Sequence, residues 1–158
     1  MIEHEPEPVP TGRFADAGPI SALIPLVARM HRTLALAMLR EIGLYPGQEL
    51  LLMLLWDREP QSQIELARNL GIEPPTAGKT ISRLEDAGML ARIRSPQDRR
   101  LLLVSLTPKG RSLREPVERI WAELERRTVD HLDPAQRRQL EGLLTSIVDN
   151  LAVVDAQQ

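Results

Sequence analysis

Between Pro19 and Ile42 apolar side chains recur at Leu23, Ile24, Val27, Met30, Leu34, Met38 and Ile42, with His31 on the same side. That spacing keeps one stripe of a helix for about five turns. Pro25 suits only the first turn or its edge, since deeper in a helix proline removes a hydrogen bond and clashes, and Gly43 closes the segment. A second helix is predicted from the Leu44-Tyr45-Pro46-Gly47 corner through Leu55 and Trp56, with Pro46 at the favoured first helical position. Ser62 and Glu65 form an S-x-x-E capping box, so a third helix should run from Gln63 to Leu70, bury Ile64, Ala67 and Leu70, and stop at Gly71. In the fourth, Pro75 is expected as the first helical residue with Pro74 at the cap, and Ala77, Ile81, Leu84 and Gly88 share the inner face. This leaves Thr76, Lys79, Ser82 and Arg83 outward. The N–H groups of Thr76, Ala77 and Gly78 lack side-chain partners, and such a helix end suits a phosphate.

The period then changes to two. Met89 to Arg94 and Leu101 to Leu106 read as a hairpin, with Leu102, Val104 and Leu106 on one face and Ser95-Pro96-Gln97-Asp98-Arg99-Arg100 as its tip. Helical spacing returns where Thr107 caps and Pro108 opens a long helix carrying Leu113, Val117, Ile120, Trp121, Leu124, Thr128 and Leu132, kinked by Pro116. Asp133-Pro134 repeats the cap-then-proline signal before Leu140, Leu143, Leu144, Ile147, Leu151 and Val154.

The pattern predicts a mainly α chain with a small β-hairpin wing. The order from Gln61 to Arg111, helix, tight turn, helix and ribbon, is that of a winged helix-turn-helix. Residues 1–18 alternate acid and proline with little to bury, which predicts a disordered tail. Residues 19–45 form an N-terminal dimerisation helix, 46–107 the winged helix-turn-helix region and 108–158 the C-terminal dimerisation helices. One small module cannot cover the apolar faces of both ends, so a two-fold dimer is expected.

Charge sharpens this picture. The chain of 158 residues has a formal net charge of −2, yet Gln61 to Arg111 holds nine basic and five acidic residues, +4, against −6 for the remainder. Positive charge concentrated on one module points to a polyanion. There is no cysteine, which excludes disulfides, thiolate metal sites and thiol redox sensing. No signal segment is seen and no apolar run is expected to reach the ~18 to 20 residues of a membrane span, which predicts a cytoplasmic protein. Ser62, Ser82, Asp98 and His131 form no nucleophile elbow, phosphate loop or paired-carboxylate motif, so no enzyme is expected. His31 and His131 have no ligand spacing around them, so no metal or cofactor is expected.

Three stretches carry a resemblance: Ser62-Gln63-Ile64-Glu65-Leu66-Ala67; Thr80-Ile81-Ser82-Arg83-Leu84-Glu85-Asp86-Ala87-Gly88-Met89-Leu90; and Ser95-Pro96-Gln97-Asp98-Arg99-Arg100 with Leu103-Val104-Ser105-Leu106-Thr107-Pro108-Lys109-Gly110. Over roughly residues 20–155 the chain resembles the multiple antibiotic resistance regulator (MarR) family of winged-helix transcription factors, most specifically in the Asp-x-Arg wing tip leading into an L-T-x-x-G helix start. The resemblance implies a homodimeric, sequence-specific DNA-binding regulator. It would be a repressor on an inverted-repeat operator in double-stranded DNA, its affinity lowered by a small aromatic or lipophilic effector. The helix from Pro75 to Ala87 would enter the major groove, Arg100 the minor groove, and Asp98 would hold an arginine of the wing. Ser62, Arg68, Thr76, Lys79, Ser82, Arg83, Arg92, Arg94, Asp98, Arg99 and Arg100 are the DNA-facing candidates, and His31, Tyr45, Trp56 and Trp121 the candidates for an effector pocket. Pro74-Pro75 and Gly78 depart from the family's usual reading helix. A winged helix that binds protein instead of DNA, and a metal-responsive regulator, are the alternative readings.

Overall fold

The structure, a computed structural model, describes residues 16–98 and 101–155. The first helix, α1, spans Pro19–Leu39. Pro25 is therefore not at the helix start but in its second turn. Both Pro25 and Ser21, whose carbonyl loses its helical partner, are exposed, so that carbonyl stays open to solvent and the cost falls. Only the C-terminal part of α1 is buried, at Ala35 and Leu39; Ile20, Leu23, Ile24, Val27 and Met30 lie open. A 3-10 turn, Arg40–Ile42, follows and ends at Gly43 with φ 75°. Contrary to expectation, Pro19–Ile42 is, by length and composition alone, long and apolar enough to cross a membrane. Arg29 and Arg32 stand in its middle, where a bilayer makes charge costly.

Helix α2 is Gln48–Asp57, so Pro46 does not open it. The Gln48 N–H donates to the Tyr45 carbonyl (2.9 Å) and Gly47 has φ 98°. These are the marks of a type II turn, with proline and glycine at its two central positions. A two-residue strand, β1 (Gln61–Ser62), leads into α3 (Gln63–Leu70). The capping box is present in full: Ser62 Oγ accepts from the Glu65 N–H and Glu65 returns a bond to the Ser62 N–H. The inner face of α3 is shifted from expectation, because Ile64 is 61% exposed while Leu66 and Ala67 are buried. The phase is set upstream: buried Gln61 pairs with Val104 in the sheet and its amide donates to the Leu54 and Arg58 carbonyls.

Helix α4 is Pro74–Asp86, with Glu73 at the cap and both prolines inside the first turn. Two prolines fit there because those N–H groups have no intrahelical partner to lose. The phosphate-binding helix end fails for the same reason: Pro74 and Pro75 have no N–H, and those of Thr76 and Ala77 both donate to the Glu73 carbonyl. Ala77, Ile81 and Leu84 are buried as expected. Strands β2 (Leu90–Arg94) and β3 (Leu102–Leu106) pair antiparallel, Arg92 opposite Val104, in a sheet of order β1-β3-β2.

The helix expected from Pro108 is broken, not kinked: α5 is Pro108–Ser112 and α6 Arg114–Thr128. Pro116 cannot donate to the Ser112 carbonyl and its ring would clash there, but in the first turn of a new helix it costs nothing. Leu132 falls beyond α6. Asp133 caps α7 (Pro134–Asp155) through the N–H groups of Ala135 and Gln136; the side chain of Val154 lies outside the described residues. The chain divides into two compact units, Met1–Trp121 and Ala122–Gln158.

The segment from Thr107 to Arg111 is a clamp within the first unit. Thr107 Oγ1 accepts from the Gly110 N–H and donates to the Gly88 carbonyl, Lys109 Nζ caps the end of α4 at the Ala87 carbonyl (2.7 Å), and Trp56 Nε1 donates to the Gly110 carbonyl (3.1 Å). A Cβ on Gly110 would stand 2.1 Å from the Met89 carbonyl oxygen, a backbone atom that cannot swing away. Gly110→Ala should therefore lower stability by about 1–3 kcal/mol or more, read as a lower urea midpoint with unchanged slope; an unshifted midpoint would show that the clamp is loose.

Candidate nucleic-acid interface

Sequence places the basic residues; packing decides which of them face solvent together. Burial of Ala77, Ile81 and Leu84 turns Thr76, Lys79, Ser82 and Arg83 outward along α4, and all four are exposed. Arg68 is exposed near the end of α3. On the hairpin Arg92 and Arg94 occupy alternate, same-side positions of β2 and both are exposed. Arg92 is not a bare cation: its Nε lies 3.1 Å from Glu85 Oε2, and its Nη2 reaches Ser82 Oγ at 3.5 Å. It ties the wing to α4. The hydroxyl oxygen of Ser62 is committed to the cap of α3.

At the base of the tip, Ser95 is buried and accepts from the N–H groups of Gln97 and Asp98, while its own N–H donates to the Leu101 carbonyl. Asp98 is exposed and its carbonyl accepts from the Leu101 N–H (2.9 Å). Arg99 and Arg100 lie outside the described residues. Lys109 and Arg111, counted in the positive charge of this module, serve the clamp instead.

Glu59, which composition alone did not single out, anchors the wing. Its Oε2 accepts from the Leu106 N–H (2.8 Å) and the Ser105 hydroxyl (2.9 Å), its Oε1 pairs with Arg111, and Arg111 Nη1 also donates to the Leu106 carbonyl. Burial opposes ionisation of Glu59, but the Leu106 N–H, the Ser105 hydroxyl and the Arg111 guanidinium outweigh it and hold the carboxyl below its ordinary range.

The aromatic and histidine candidates do not form one pocket. Tyr45 rims a cavity of about 590 Å³ lined also by Arg32, Arg40, Thr80, Arg83 and Met89, and the Arg40 guanidinium lies 5.7 Å from the Tyr45 ring centre. Trp56 and Trp121 border a separate cavity of about 230 Å³ with Met53 and Val117. His31 is exposed on α1 and lines neither. The larger cavity joins an apolar floor to three guanidiniums, one of them Arg83 of α4. Behind it Glu49 is buried, and burial raises its pKa against the Gly47 N–H (2.8 Å) and the field of Arg32.

Known proteins resemble this chain in sequence and in fold. The sequence model of the MarR family matches residues 44–102, which run from the start of the Tyr45 turn to β3. The HTH-type transcriptional repressor Rv2887 of Mycobacterium tuberculosis is 29% identical over 134 residues, covering 85% of this chain and 96% of that protein. Over residues 44–102, and in its likeness to this repressor, the chain resembles the MarR family. Among solved structures of MarR-like fold, Bordetella bronchiseptica BpsR, described with regulation of its DNA binding by 6-hydroxynicotinic acid, is 27% identical with TM-score 0.74, covering 82% of this chain and 98% of that one. A mutant E. coli MarR complexed with operator DNA shares the fold at 22% identity and TM-score 0.79, covering 87% of this chain and 99% of that one. The chain shares with these proteins a mainly α fold with a winged helix-turn-helix.

Glu59→Gln keeps the shape but removes the ion pair and a charge-assisted acceptor, and should cost about 1–3 kcal/mol at neutral pH. Because the folded-state pKa of Glu59 is depressed, its contribution is fully present above the ordinary value of 4.5 and is lost as pH falls below it. Urea melts of both proteins should show a gap that narrows only in that acidic window; a gap independent of pH would remove the carboxylate from the anchor.

Proposed function

We propose that this regulator binds double-stranded DNA as a homodimer, represses transcription, and is released by a small aromatic or lipophilic effector. The observation that carries the reading is the outward row Thr76, Lys79 and Arg83 on α4, continued by the hairpin that leaves the same helix. Short side chains and cations on a helix beside a basic ribbon suit a major groove flanked by phosphates. In sequence Arg99 and Arg100 add positive charge between β2 and β3, and a guanidinium enters a narrow minor groove favourably. Arg68, Arg92 and Arg94 would meet phosphates, Ser62 and Ser82 stand at the margin, and Asp98 orders the tip. The curated relative is named a repressor, and the E. coli neighbour is complexed with operator DNA.

Dimerisation is inferred from uncovered apolar surface. Ile20, Leu23, Ile24, Val27 and Met30 of α1 are exposed, as are Leu143, Leu144, Val148 and Leu151 of α7. Faces this apolar on a soluble chain require cover, and a two-fold copy supplies it at both ends. Two copies of α4 would then meet half-sites about 34–36 Å apart.

Effector control is supported by the position of Arg83, which is exposed on α4 and lines the cavity of about 590 Å³. A bound aromatic acid would draw that guanidinium with Arg32 and Arg40, competing with phosphate for it. BpsR, whose DNA binding is regulated by 6-hydroxynicotinic acid, supports this class of ligand. The alternatives are a winged helix that binds protein, and a metal-responsive regulator.

Footprinting on DNA flanking the protein's own coding region should reveal a protected inverted repeat, relieved by aromatic acids. Arg100→Ala should weaken operator binding by about 1–3 kcal/mol at fixed salt, and unchanged affinity in a folded variant would remove Arg100 from the groove. Light scattering at micromolar concentration should give twice the 17.8 kDa chain mass; a monomeric mass would contradict the dimer.

A further inference from the structure

The reading helix α4 has an unusual beginning. Pro74 and Pro75 bring no N–H, the Glu73 side chain makes no capping bond, and one turn later Gly78 stands where a side chain would strengthen the helix. Gly78 has ordinary negative φ, since the positive-φ glycines are Gly43, Gly47, Gly71 and Gly88. No backbone conformation therefore demands glycine there, and a helix-interior glycine is less favourable than alanine. The space is filled from α3. A Cβ on Gly78 would lie 2.9 Å from Gln63 Nε2 and 3.4 Å from both Gln63 Cδ and Oε1, while the same Nε2 donates to the Pro74 carbonyl (3.1 Å). The Gln63 amide thus lies flat on the backbone of α4 at Gly78 and holds the first turn by its carbonyl.

We infer that Gln63 is a positioning residue for DNA reading, seated in a socket that Gly78 provides, and that it fixes where Thr76 and Lys79 stand against the bases. The inference rests on the proposed DNA binding but is separable from it. The first turn of α4 has no cap bond from Glu73 to keep its angle to α3. A groove-entering helix must hold its side chains to within an ångström for base contacts to form. Contacts to phosphate tolerate more drift, because they depend on charge and distance. Loss of the Gln63 seat should consequently erase discrimination between operator and unrelated duplex while sparing the salt-dependent background.

A double-mutant cycle tests this with Gly78→Ala, Gln63→Ala and the pair. Gly78→Ala alone is expected to leave the protein folded, because only the end of a flexible side chain must move. It should nevertheless lower operator affinity about tenfold, with binding to an unrelated duplex unchanged, which shrinks the specificity ratio that defines reading. Gln63→Ala should do the same, and the pair should lose no more than either single change. A merely structural role would move stability and both DNA affinities together. Independent, multiplying losses, or single variants that keep operator preference, would overturn the inference. The stability arm needs no DNA. Gly78→Ala should raise the melting temperature by more in the Gln63→Ala background than in the wild type, where the methyl must first evict the amide, and equal increments would likewise overturn it. Should the wild-type protein ignore every duplex at low salt, the DNA reading fails, while the thermal cycle still decides whether the socket exists.

Discussion

The structure depends on the seam between α3 and α4. Leu66 and Ala67 on one helix and Ala77, Ile81 and Leu84 on the other are all buried, and this burial sets which face of α4 turns outward. Each large member contributes about 1.5–3 kcal/mol, against a net stability of about 5–15 kcal/mol for an ordinary domain. Two such losses, about 3–6 kcal/mol together, reach only the lower end of that range. The small members, Ala67 and Ala77, let the backbones approach; a larger side chain at either would swing the basic face away. Orientation of the cations is therefore a packing property, and the hydrogen bonds at the ends of α4 refine it.

That division of labour explains the Thr107-Pro108-Lys109-Gly110-Arg111 segment. As sequence it is part of the most specific stretch of the resemblance and carries two cations, which invites a DNA-binding role. In the fold its polar groups are spent on the end of α4, the Leu106 carbonyl and Glu59, and its glycine lies against the Met89 backbone. The segment holds the wing to the reading helix. Arg92 does the same from the other side through Glu85. The cations that remain turned outward on α4 are fewer than the net charge of the module suggests, so the proposed polyanion contact falls on Lys79, Arg83 and the wing.

Much of the fold was legible because its signals are local. The Ser62 capping box, the stop at Gly71, the inner row of α4 and the pairing of the hairpin are written in residues three or four apart or in strict alternation. The structure departs from local spacing where distant partners decide. Ile64 looked buried by spacing, yet the phase of α3 is set by Gln61, whose amide bonds Leu54 and Arg58 and whose backbone pairs with β3. Pro46 looked like a helix start until Gly47 took positive φ and made a turn of it. Pro116 pointed to a kink, whereas the carbonyl four residues back made a break cheaper. The roles of Glu59 and Gln63 had no local signature, because each bonds backbone groups that only the tertiary fold brings near. The candidate pocket split in two because aromatics sparse in sequence do not specify which cavity they join.

Arg83 is exposed on α4 and also lines the cavity of about 590 Å³, so the same packing that turns α4 outward sets one wall of that cavity. The most direct measurement of the central claim is to titrate isotopically labelled protein with a short operator duplex and follow its amide resonances. The account predicts perturbations concentrated on Thr76 to Arg83 of α4 and on Arg92 to Leu101 of the wing, with the buried positions Leu66 and Leu84 little moved. Perturbations confined to α1 or α7, or none at low salt, would contradict it.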